Sequence, residues 1–119
     1  MTYCSTYIGD LSDPEFHWDG GDWNGNIPQG IGFPFPDTLE HYPTLGHYNS
    51  KFFDWVGREK VTYKQTDYGG WVARVNKAQL LNFIQFCYGS EPHEEVDKLI
   101  DFVNTLEESD EYALVAEEY

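Results

Sequence analysis

SEPHEEVDKLIDFVNTL, residues 90–106, decides the fold. Val96, Leu99, Ile100, Val103 and Leu106 recur at i, i+3, i+4, i+7 and i+10, the spacing that lays one apolar stripe along a helix. Ser90 reads as the N-cap, and Pro92 falls in the first turn, where its missing N–H costs nothing. The helix is therefore expected over 92–107. Glu94, Glu95 and Asp97 crowd its N-terminal half, where the helix dipole favours anions. Burying such a stripe contributes about 1.5–3 kcal/mol per large side chain, so this helix needs another layer beneath it.

That layer lies upstream. Asn76 reads as the N-cap of a second helix over 77–88, in which Leu80, Leu81, Phe83, Ile84, Cys87 and Tyr88 form a wide apolar face. Gly89 is its stop signal, at the C′ position where a left-handed residue ends a helix. Before it, Val61, Tyr63 and Gln65 alternate with Thr62, Lys64 and Thr66. Asp67-Tyr68-Gly69-Gly70 is a turn, and Trp71, Ala73 and Val75 return opposite Val72 and Arg74. Two β-rich runs around a Gly-containing turn make a hairpin over 60–75. Tyr3–Ile8 reads as an N-terminal strand, Tyr48–Val56 as a short helix or turn, and Tyr112–Ala116 as a short strand returning at the edge of the sheet.

Residues 10–48 show no sustained period. Glycines, prolines and acids dominate, and Phe33-Pro34-Phe35-Pro36 must be extended because proline restricts itself and the residue before it. A long irregular loop with four aromatics, Trp18, Trp23, Phe33 and Phe35, is expected to be pinned to the body. The expectation is a single globular α+β domain over 1–119: a small antiparallel sheet packed against two helices.

The 119 residues carry a net charge of −14. That sign argues against direct nucleic-acid binding, which needs a Lys/Arg footprint, and against docking on anionic lipid. It favours a basic protein partner. Eleven acids in Ser90–Tyr119 face one base, Lys98, whereas Arg58–Lys77 is mildly basic and Asp10–Asp22 holds five acids and no base. No apolar run is long enough to span a membrane, and MTYCSTYIGD lacks the basic and apolar regions of a signal peptide. A cytoplasmic location is expected, with Cys4 and Cys87 as free thiols and a disulfide between them as the alternative.

Signals for catalysis are weak. His17, His41, His47 and His93 lack the tight spacing of a zinc site. Asp10, Asp13, Glu15, Asp19 and Asp22 lack the EF-hand pattern. Cys87 sits on an apolar helix face, no serine has a Gly-x-Ser-x-Gly setting, and no glycine-rich loop is followed by Lys-Ser/Thr. No catalytic residue, metal or cofactor is expected. A metal-dependent or carboxylate-based hydrolase using His17, Asp19 and Asp22 is the alternative, and a carbohydrate-binding module stacking sugars on Trp18 and Trp23 is a third reading.

In size, charge and lack of an active-site motif, the chain looks like the small acidic inhibitors that phages and mobile elements make against host nucleases or CRISPR effectors. Toxin-neutralising immunity proteins look the same at this level. The likeness is one of type, not of a shared motif. The expected partner is a basic nuclease or other nucleic-acid-binding effector. Its expected contacts are Glu94, Glu95, Asp97, Asp101, Glu107, Glu108, Asp110 and Glu111, with Asp19, Asp22, Trp18 and Trp23 as a second patch. Fourteen uncompensated charges match about 24 Å of duplex DNA at one charge per about 1.7 Å, within the roughly 35 Å of a domain this size. DNA mimicry or groove blocking is thus within reach.

Overall fold

A computed structural model describes residues 4–13, 28–32, 35, 50–66, 70–89 and 94–118. The elements run β1 (Cys4–Gly9), β2 (Gly30–Ile31), α1 (Ser50–Glu59), β3 (Tyr63–Thr66), β4 (Gly70–Asn76), α2 (Lys77–Tyr88), α3 (Glu94–Asn104) and β5 (Glu111–Glu118). The strands form one antiparallel sheet in the order β2-β1-β5-β4-β3. The α+β class, the hairpin and both expected helices are present.

The C-terminal strand differs from expectation in its place. It is not an edge strand: β5 lies between β1 and β4, with Cys4 opposite Glu118 on one side and Asn76 opposite Glu111 on the other. Its Ala-Leu-Val-Ala core explains this position. Ala113, Leu114, Val115 and Ala116 are all fully buried, as suits a strand covered on both faces.

Alternation along the strands separates two apolar surfaces. Ile8, Ala73, Val75, Leu114 and Ala116 share the main core with Phe52, Trp55 and Val56 of α1, Leu80, Phe83, Ile84 and Cys87 of α2, and Val96, Leu99 and Val103 of α3. Val72, Ala113 and Val115 face the other way, packed with Tyr7 and Leu11. Pro28 adds to that side: a Cβ on Gly9 would stand 2.9 Å from the Pro28 ring.

The segment read as a long irregular loop includes one short regular element. β2 pairs with β1, Ile31 opposite Ile8. Asp10 and Gln29 tie the two loop ends together through Asp10 N–H to the Gln29 carbonyl at 2.8 Å. Phe35 donates its backbone N–H to the Thr6 carbonyl at 2.9 Å and buries its ring 5.7 Å from that of Phe83. The expectation that loop aromatics pack on the body holds for Phe35. Trp18, Trp23 and Phe33 lie outside the described residues, as do the Asp67–Gly69 turn and the caps expected at Ser90 and Pro92.

Local chemistry sets the helix ends. The Asn76 side chain accepts from Gln79 N–H at 2.9 Å while the Gln79 side chain accepts from Asn76 N–H at 2.8 Å, a capping box. β4 therefore passes into α2 without a loop. Gly89 follows α2 not in the expected left-handed conformation but at φ 70°, ψ −154°, a region essentially reserved for glycine. Of residues 48–56, read as a helix or turn, 50–56 belong to α1, which continues to Glu59, and Tyr48 and Asn49 lie outside the described residues. It ends in a Schellman arrangement, Val61 N–H donating to the Val56 carbonyl at 3.0 Å with both side chains buried. Lys60 occupies the positive-φ position there, at φ 54°.

The three helices lie side by side on one face. α1 sits over the β3 side, where Phe53 contacts Tyr63 at 6.1 Å and Trp71 at 5.0 Å. α3 sits over the β2 side: a Cβ on Gly32 would run into the Phe102 ring. No helix among the described residues is long and apolar enough to cross a membrane.

Candidate functional site

α3 separates its two faces cleanly. Val96, Leu99 and Val103 are buried, and Ile100 and Phe102 are half-buried. Glu94, Asp97 and Asp101, spaced i, i+3 and i+7, stand exposed on the far side, with Glu95 beside them. The connection to β5 continues the field: Glu107, Glu108, Asp110 and Glu111 are all exposed. Every α3 and connection residue expected to face a partner is thus available to one.

The connection is held in one shape. Thr105 and Leu106 donate their N–H groups to the carbonyls of Phe102 and Val103 at 3.0 Å each. These i to i−3 bonds tighten the last turn, and this is why α3 stops at Asn104 and not at 107. Thr105 Oγ1 also donates to the Phe102 carbonyl at 2.6 Å. Lys77, at the start of α2, donates Nζ to the Asn104 carbonyl at 3.0 Å, placing a cation at the negative end of α3. Glu107 N–H donates to Tyr112 Oη at 3.1 Å. A hollow of about 340 Å³ lined by Asn76, Lys77, Ala78, Leu81 and Glu108 lies beside this junction.

Few cations answer these acids. Lys98 pairs with Glu94 at 3.7 Å. Arg74 directs Nε and Nη2 at one oxygen of Glu111, at 2.9 and 2.6 Å. Both ends of that pair are nearly half exposed (43% and 49%), so it contributes at most about 1 kcal/mol. Glu95, Asp97, Asp101, Glu107, Glu108 and Asp110 have no ion-pair partner among the described residues.

The second acidic patch is partly committed to structure. The Asp10 carboxylate accepts from Ser12 Oγ at 2.6 Å and Ser12 N–H at 2.9 Å. The Ser12 hydroxyl, and then its N–H, hold the Asp10 pKa below its ordinary value. Asp13 Oδ2 accepts from Gln29 N–H at 2.8 Å. These two acids fasten the ends of the loop. Asp19, Asp22, Trp18 and Trp23 lie outside the described residues, and so does His17 of the hydrolase alternative. Among the described residues no three His, Cys, Asp or Glu side chains gather as metal ligands. Cys87 is buried in the main core, as its helix position implied.

Sequence reasoning overlooked the cluster formed by Phe53, Tyr63 and Trp71 at the far edge of the sheet. Tyr63 is 46% exposed. The signal was present in the alternation of 61–66, which leaves Tyr63 at the end of the apolar run. Comparison with protein-family models, curated proteins and solved structures finds no match to this chain.

Proposed function

We propose that this protein is a non-enzymatic inhibitor that binds the Lys/Arg-lined groove of a nucleic-acid-binding protein, such as a nuclease or CRISPR effector. A phage or mobile element acting against host defence would encode such a chain, and so would a toxin-immunity locus. The observation that carries the reading is the exposed carboxylate face of α3 and its connection to β5, with six acids lacking an ion-pair partner among the described residues. A fixed acidic surface binds a basic one with little ordering cost, and charge complementarity speeds association.

The described face favours blocking over continuous mimicry. Six carboxylates correspond to about 10 Å of duplex at one charge per about 1.7 Å. α3 itself is about 16 Å long at 1.5 Å per residue. A surface of that size plugs part of a groove.

The test is a cleavage assay with purified restriction and CRISPR nucleases at increasing salt. The wild type should inhibit at least one, and inhibition should weaken more than tenfold in the variant E94Q/E95Q/D97N/D101N. Inhibition that survives both the substitutions and high salt sinks the electrostatic reading, and inhibition of none sinks the choice of partner.

A further inference from the structure

We draw no further inference here: the strongest candidate, the aromatic cluster of Phe53, Tyr63 and Trp71 at the β3 edge of the sheet, is a surface patch, and nothing in the structure shows what covers it.

Discussion

Replacing Lys60 with glycine should stabilise the protein, although it removes a side chain and adds none. Lys60 sits just past α1 at φ 54°, where an L-residue is strained by roughly 1–2 kcal/mol. Glycine relieves that strain. It also gives the unfolded chain more freedom, a cost of about 0.5–1 kcal/mol. The net expectation is a gain of about 0.5–1 kcal/mol. For 119 residues the unfolding entropy is about 250 cal/mol/K, which converts the gain to a rise of about 2–4 °C in Tm. Thermal unfolding followed by circular dichroism measures it, and urea unfolding should show a higher midpoint with the same slope. Lys60→Ala is the control, since it removes the charge and keeps the strain, and it should stay within about 0.5 kcal/mol of wild type. If glycine lowers Tm, or if alanine matches glycine, backbone strain at Lys60 is not the operative term.

Other expectations follow from the same packing. Thr6 Oγ1 is buried with no hydrogen-bond partner among the described residues, so Thr6→Val should be neutral or stabilising by about 1 kcal/mol in urea unfolding, whereas a loss above that would show a partner for the hydroxyl. Leu114→Ala, in the middle strand, should cost about 2–5 kcal/mol, and an edge-like cost below 1 kcal/mol would contradict the strand order. Asp10 has a lowered folded pKa, so it contributes stability above its unfolded value of 3.8 and loses it as pH falls through the lower folded value. Ser12→Ala should therefore lower stability slightly at pH values above about 4, leave it unchanged at the lowest pH, and so flatten the acid limb of the stability curve.

The parts of the fold set by local periodicity were legible in the sequence. α2 needed only Asn76, an apolar face and Gly89, and the hairpin needed only alternation around a turn. α1 was harder to bound because Arg58 and Glu59 extend it past the last buried residue. Strand order was not legible, since nothing local in Tyr-Ala-Leu-Val-Ala separates a middle strand from an edge one. The fully apolar run was the available hint, because a true edge strand would carry polar residues on one face. β2 has two residues and no period to read. Of the site, the α3 carboxylates were legible because a helix with one apolar stripe must expose the rest. The double role of Asp10 and Asp13 was not, because their partners Ser12 and Gln29 meet only after the loop closes.

The middle strand of this sheet is also the last to be synthesised. β1 is made at residues 4–9 and finds its partner at 113–118. At roughly 5–20 residues per second, the first strand waits about 5–20 s on the ribosome for the segment that pairs with it. The sheet cannot close before residues 111–118 have emerged, and a product that stops short of them would lose its centre and not merely a margin. During that wait the growing chain gains most of its negative charge late, ten of its fourteen net charges arising in Ser90–Tyr119. The carboxylates of Ser90–Tyr119 emerge just ahead of β5 and beside it, so mutual repulsion between nascent chains is greatest when the unpaired strands are most numerous.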